Sequence, residues 1–392
     1  MVVSRLCATV AAARRSVLNL EAVLSAGAGE STRPSRSTPP LTDLVEGALR
    51  DFFASRADTI RSVGGGYENA VATLESFVLR GGKRVRPVFA WTGWLAAGGD
   101  PEGAQADAVL RSASALELVQ ACALVHDDII DASTTRRGFP TVHVEFADQH
   151  SAQQWSGGSA EFGRAVAILL GDLALAWADD MVREAGLAPE TLARISPVWS
   201  AMRTEVLGGQ FLDISGEVRA DESIEAALRV NRFKTAAYTI ERPLHLGAAL
   251  AGADDALVEA YRRFGTDIGI AFQLRDDLLG VFGDPEVTGK PSGDDLRAGK
   301  RTVLFAEALQ RADATDPAAA ALLRESIGTD LSDTQVARLR TVITDLGAVD
   351  DAERRISELT ADALAALDGS TATDEGKRRL REMAIAVTRR DA

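Results

Sequence analysis

The chain has 392 residues, which at ~150 residues per domain allows two to three domains or one large helical one. Hydrophobic residues make up 46% and charged residues 26%, the ordinary globular mixture, which excludes a disordered, collagen-like or fibrous body. A net charge of −14 opposes loose attraction to phosphate backbones and anionic lipid, so no nucleic-acid partner is expected.

The first forty residues carry five Arg (Arg5, Arg14, Arg15, Arg33, Arg36) against two Glu (Glu21, Glu30) and end in a Ser/Thr/Pro-rich stretch. That composition fits a transit peptide, a flexible extension or an over-long start alike. Residues 1–40 are read as a flexible N-terminal extension and 41–392 as one folded domain. From Leu41 onward Ala and Leu recur with helical spacing, aromatics are only 5% and alternating strand-like runs are scarce, so the expected fold is all-α. Prolines, among them Pro87, Pro189, Pro197, Pro243 and Pro317, are expected to mark the breaks between helices. No apolar run reaches the ~18 residues of a membrane span. The best candidate, 165–171, is stopped by Asp172, and no transmembrane segment is expected. Two cysteines, Cys7 and Cys122, are too few for a disulfide framework and are not spaced for structural zinc, which points to a reducing cytoplasm.

The first chemistry-bearing segment is Gly81-Gly82-Lys83-Arg84-Val85-Arg86-Pro87. Its glycines allow close backbone approach to an anion, and Lys83 and Arg86, three apart, are expected to share a helical face. It is not a P-loop, which needs GxxxxGK followed by Ser or Thr. Next, Asp127-Asp128-Ile129-Ile130-Asp131 closes an apolar helical stretch. Asp127 and Asp131, four apart, stack on one helix face and repel unless a cation sits between them. Oxygen-only ligands favour Mg²⁺ or Mn²⁺, and Mg²⁺ takes one or two carboxylates and fills its shell with water and phosphate. A second pair, Asp276-Asp277, ends another mostly apolar run. Arg136 and Arg137 follow the first cluster, and Lys290 and Lys300 follow the second. Carboxylates for metals beside Arg and Lys suit a diphosphate.

Taken in order, GGKRVRP at 81–87, HDDIIDASTTRRG at 126–138, GDLAL at 171–175, GGQFLDI at 208–214, FKT at 233–235, FQLRDDLLGVFGD at 272–284 and GKPSGDDLRAGKRT at 289–302 resemble the trans-prenyltransferases, the isoprenyl diphosphate synthase family. The resemblance implies a single helical bundle around a central cavity, usually a homodimer, that joins an allylic diphosphate to isopentenyl diphosphate. It implies that Asp127 and Asp131 bind Mg²⁺ with Asp128 in support, and that Asp276, with Asp277 nearby, holds a third ion. Arg136, Lys234, Thr235, Gln273, Lys290 and Lys300 match the groups around the allylic diphosphate, with Arg136 and Lys234 joining the metal-binding aspartates as the catalytic set. Lys83, Arg86 and Arg137 match the isopentenyl diphosphate site, where Gln120 replaces the histidine common in the family. The second motif also departs, with Gly280 in place of a third aspartate; Asp284, Asp294 and Asp295 are candidates to compensate.

Product length in this family depends on side chains lining the tail's path. Cys122 and Ala123, five and four residues before Asp127, are small, and Val119 lies one turn deeper. The expected product is geranylgeranyl diphosphate (C20), with C25 or longer, or farnesyl diphosphate, as alternatives. Two rivals stand beside this reading. A class I terpene cyclase lacks the second cationic site that Lys83, Arg86 and Arg137 supply. A non-catalytic regulatory subunit usually loses the metal aspartates kept here. Cys122 is read as a small buried apolar residue, not a nucleophile, and His126 as a hydrogen-bonding partner, not a metal ligand.

Overall fold

The structure, a computed structural model, describes residues 40–284 and 293–389. The N-terminal extension up to residue 39, Cys7 and Lys290 lie outside the described residues. The helical spacing that starts at Leu41 becomes α1 Leu41–Ser55, α2 Ala57–Val63, α3 Tyr67–Leu79, α4 Val85–Ala96, α5 Ala106–Ser114 and α6 Leu116–Ile130. A two-residue hairpin follows, β1 Thr135–Arg136 and β2 Phe139–Pro140, then α7 Val142–Ala152, α8 Ser159–Arg183, α9 Pro189–Arg219 and α10 Ile224–Val230. A π-helix, Asn231–Glu241, runs into α11 Arg242–Ala251 and the long α12 Asp255–Phe282. The chain ends with α13 Asp294–Ala298, α14 Val303–Thr315, α15 Pro317–Ser326, α16 Asp333–Asp345, α17 Ala348–Asp368 and α18 Asp374–Thr388. The fold is nearly all-helical, as expected.

The chain divides into two compact units. The first comprises residues 40–199 with Pro243–Ala253; the second comprises Ser200–Arg242 with the described residues from Asp254 onward. In the first, α1 turns Leu41, Val45, Leu49, Phe52 and Phe53 inward, the i, i+4, i+8 spacing of one apolar face. Phe53 meets Trp177 of α8 edge-on at 5.7 Å. At its centre, α6 buries Leu116, Leu118, Val119, Cys122 and Val125, each large side chain contributing about 1.5–3 kcal/mol. The helical stretch 106–130 is long and apolar enough to cross a membrane by composition, a longer candidate than 165–171, but 72% of its window is buried inside the fold. It reads as a core helix that fixes the carboxylates at its end.

In the second unit, α12 packs against the π-helix on one side and α17 on another. A cluster of Leu274, Leu278, Val303, Phe305, Leu323 and Ile343 fills the space between α12, α14, α15 and α16. Gly269 and Gly265 let α12 and the π-helix touch, since a Cβ on Gly269 would strike Ala236 and one on Gly265 would strike the backbone of Glu241.

Two proline expectations are corrected. Pro197 sits inside α9 without ending it: Ile195, Val198 and Trp199 around it are buried, and that packing outweighs the lost backbone hydrogen bond. Pro243 falls at the second residue of α11, where the hydrogen-bond register changes after the π-helix and a missing N–H costs little.

Candidate active site

In the first unit the apolar run of α6 ends in three carboxylates with different surroundings. Asp127 lies in the last turn, and Asp131 caps the helix, its N–H donating to the Asp127 carbonyl at 2.8 Å. The two acids stand one turn apart, as the spacing predicts. Asp128 is 1% exposed and accepts from Arg136 Nε through both oxygens, at 2.8 and 2.9 Å. Burial pushes its pKa up while the Arg136 guanidinium pulls it down. Arg136 also reaches Asp127 Oδ2 at 3.5 Å.

The hairpin explains how neighbouring arginines serve different places. Arg136 pairs with Phe139 across the loop Arg137-Gly138, whose residues have φ of 53° and 79°, the left-handed pair of a type I′ turn. Arg136 is thereby aimed at α6, while Arg137 Nη1 donates to the carbonyls of Arg80 and Gly81 at 3.2 and 3.1 Å. Burial lowers the Arg137 pKa; Glu117 opposes that shift, and Arg136, Arg84 and Arg86 add to it. Four guanidinium groups thus share one neighbourhood, an arrangement that an anion relieves.

The expectation that Lys83 and Arg86 share a helical face is corrected. Helix α4 starts at Val85, because Gly81, Gly82 and Arg84 all have positive φ and wind the chain left-handed before it. Lys83 is half-buried in that turn, and Arg86 is buried in the first turn of α4. Gln120 is half-buried on α6, one helical turn from Glu117. Cys122 and Val119 are buried on the same helix, and Ala123 is half-buried. Burial, with Asp172 adding to it, pushes the Cys122 thiol up to about 12, so it is no nucleophile. His126 faces the Ile168 carbonyl at 3.2 Å and Cys122 Sγ at 3.7 Å. Gly171 makes room for its ring, which any Cβ there would strike.

In the second unit the π-helix carries Lys234 and Thr235. Lys234 is ion-paired with Asp213 of α9, and Gly209 of α9 lies so close to the Lys234 backbone that a Cβ would collide with it. Thr235 Oγ1 donates to Gln273 Oε1 at 2.7 Å, and Gln273 Nε2 donates to Asp277 Oδ1 at 2.9 Å. Asp277 is 3% exposed, and its Oδ2 is left without a close hydrogen-bond partner. Burial pushes its pKa up to about 7; Gln273 and Asn231 pull it down, while Asp295 and Asp276 push it further up. The Asp295 carboxylate packs against Gly280, where any Cβ would strike it. A third carboxylate therefore stands beside the second motif, supplied from α13. Lys300 lies 3.9 Å from Asp295.

Oxygen donors only, mutual repulsion and the buried carboxylate of Asp277 suit a hard divalent cation. Among the described residues no three His, Cys, Asp or Glu side chains converge to hold a metal unaided, so water and ligand oxygens have to complete any shell. Arg84, Glu117 and Asp213 are the participants that sequence reasoning did not assign, whereas Asp295 is one of the three candidates it offered to compensate for Gly280. Asp213 lies within a quoted motif, but the pairing of Arg84 with Glu117 leaves no local signal.

An all-helical frame with acid clusters at helix ends and a separate cationic turn defines a helical transferase that handles diphosphates. Residues 68–345 match the polyprenyl synthetase family, and the chain belongs to it, a trans-prenyltransferase. It is 52% identical to the geranylgeranyl pyrophosphate synthase of Corynebacterium glutamicum, whose crystal structure was determined in complex with isoprenyl diphosphate and magnesium. The TM-score is 0.86, and the match covers 89% of this chain and 98% of that one. It is 34% identical over 315 residues to the geranylfarnesyl diphosphate synthase of Aeropyrum pernix, 80% of this chain and 88% of that protein. It is 37% identical over 287 residues to a geranylgeranyl diphosphate synthase of Mycobacterium tuberculosis, covering 73% and 75%.

Proposed function

We propose that the chain condenses an allylic diphosphate with isopentenyl diphosphate, head to tail, and makes mainly geranylgeranyl diphosphate. The observation that carries this reading is the pairing, within the first unit, of the Asp127 and Asp131 carboxylates with the cluster Arg86, Arg136 and Arg137. One set suits metal ions and the other a phosphate-rich ligand, which is the equipment of a two-diphosphate reaction. Likeness to the Corynebacterium enzyme favours the C20 product. Likeness to the Aeropyrum enzyme supports geranylfarnesyl diphosphate (C25) as the second reading.

In this mechanism Asp127 and Asp131 in the first unit, and Asp276 in the second, would hold Mg²⁺, about three ions in all, with Mn²⁺ as a substitute. Mg²⁺ held by these carboxylates would supply the charge that neutralises a departing diphosphate and so lowers the barrier to breaking the allylic C–O bond. Asp128, expected as a supporting ligand, is buried on Arg136 and would also orient that guanidinium toward the allylic diphosphate. Within the second unit Lys234, Thr235, Gln273 and Lys300 would bind diphosphate oxygens or orient the carboxylates Asp276 and Asp277. Lys83, Arg86, Arg137 and Gln120 bind isopentenyl diphosphate. Its double bond attacks the allylic cation, one C–C bond forms, and a proton leaves to the released diphosphate. Protein stripped with EDTA is expected to condense nothing and to recover on addition of Mg²⁺, measured by incorporation of labelled isopentenyl diphosphate. Condensation without any divalent ion would sink the mechanism.

We read the working form as a homodimer in a reducing cytoplasm. Ile168 and Leu169 on α8, 47% and 67% exposed, are large apolar side chains that a second copy would cover. Leu169→Glu is expected to shift the protein to monomer in light scattering; an unchanged mass would remove α8 from the interface.

A further inference from the structure

The turn at 81–86 presents three cations in four residues, Lys83, Arg84 and Arg86, which look alike in sequence. Arg84 is different in the fold. Its side chain is 2% exposed. One arm of its guanidinium donates to the Val78 carbonyl at 2.7 Å and to Glu117 Oε2 at 2.7 Å. The other donates to the Leu79 carbonyl at 3.1 Å and to Glu46 at 3.4 Å. Val78 and Leu79 are the last residues of α3, whose final carbonyls lack helical partners. Arg84 therefore caps α3 with a positive charge, which the helix dipole favours. Through Glu117 it ties that cap to the first turn of α6. Its own backbone is left-handed, φ 48°, with Gly81 and Gly82 at 71° and 113°. A non-glycine residue takes that conformation when surrounding contacts impose it.

We infer that Arg84 is a positioning residue for isopentenyl diphosphate, which it does not touch. Its buried guanidinium holds the left-handed turn in the shape that presents Lys83 and Arg86. Through Glu117 it also sets that turn against the stretch of α6 bearing Gln120. Arg137 holds the same segment from the other side, on the carbonyls of Arg80 and Gly81. The turn is thus braced by two guanidiniums on four consecutive carbonyls, 78 to 81. Loosening one brace leaves the binding cations present and displaces them, so the loss falls on one substrate. The inference rests on the reading of this turn as the isopentenyl diphosphate site.

The test compares Arg84→Lys, the double variant Arg84→Met/Glu117→Met, and Lys83→Ala as a control on the site itself. The double variant removes both members of the buried pair and leaves no lone charge in the core. KM for isopentenyl diphosphate is expected to rise about tenfold or more in the double variant, the scale of one lost charge-assisted contact, and less in Arg84→Lys. KM for the allylic diphosphate and kcat at saturation should stay within about twofold, because Arg136 and Asp127 are untouched. A purely structural role would lower the amount of active enzyme and move no KM. Should the double variant not fold, Arg84→Lys decides by the same split. An unchanged isopentenyl diphosphate KM in the folded Arg84 variants, with Lys83→Ala raising it, would overturn the inference and leave the site reading intact. An unchanged KM in Lys83→Ala would overturn the site reading, and the inference with it.

Discussion

Asp127→Ala is expected to reduce turnover by on the order of 10³-fold or more, about 4 kcal/mol of lost transition-state stabilisation, with circular dichroism and melting temperature close to those of the parent. The separation follows from position. Asp127 sits in the last turn of α6, whose hold on the fold comes from Leu116, Leu118, Val119 and Val125 further back. Arg136, 3.5 Å from Asp127, is anchored mainly by Asp128 at 2.6 Å, so removing Asp127 leaves Arg136 in place. The carboxylate lost is one of two standing a turn apart, and the remaining Asp131 cannot bridge an ion alone. Asp128→Asn should behave in the opposite sense. It leaves the Asp127 and Asp131 pair intact, loosens Arg136, and is expected to raise the allylic KM more than it lowers kcat. A steady-state comparison of the two variants decides the assignment, and equal loss of kcat in both would contradict it.

Ala123→Phe is expected to shorten the main product from C20 to C15 while condensation continues. The residue lies one helical turn before Asp127, and the proposed reading puts the growing tail against it. Ala123 is half-buried, whereas Cys122 is closed in among core side chains beside His126. A phenyl ring at Cys122 has to displace packed neighbours, at a cost of about 1–3 kcal/mol. Ala123 is only half-buried, so a ring there displaces less of the core. The variant therefore probes tail length with little damage to the core. Chromatography of the dephosphorylated products is the readout, and an unchanged C20 chain would remove this face of α6 from the tail's path.

Much of this was legible before the fold was known, for physical reasons that differ from place to place. An acid cluster closing an apolar helical run is a local pattern, and Asp127 with Asp131 emerged one turn apart because helix geometry guarantees it. Arg136 and Arg137 were also found, but only the type I′ hairpin explains why they point to different partners. Arg84 was not separable from Lys83 and Arg86, because what distinguishes it is Glu117, thirty-three residues away in sequence. The π-helix was invisible, since hydrophobic periodicity does not report which carbonyl an N–H chooses. Gly280 read as a gap in the second motif. The fold puts Asp295 against it, a contact that follows from the path of the chain after α12 and has no spacing rule behind it.

The central claim is tested most directly by a product assay on the purified chain alone. Labelled isopentenyl diphosphate and Mg²⁺ are supplied with dimethylallyl, geranyl or farnesyl diphosphate in turn, and the dephosphorylated products are sized by chromatography. The account predicts metal-dependent condensation with a C20 product from at least one starter. A cyclised hydrocarbon, or no condensation with any starter in protein shown to be folded, would contradict it.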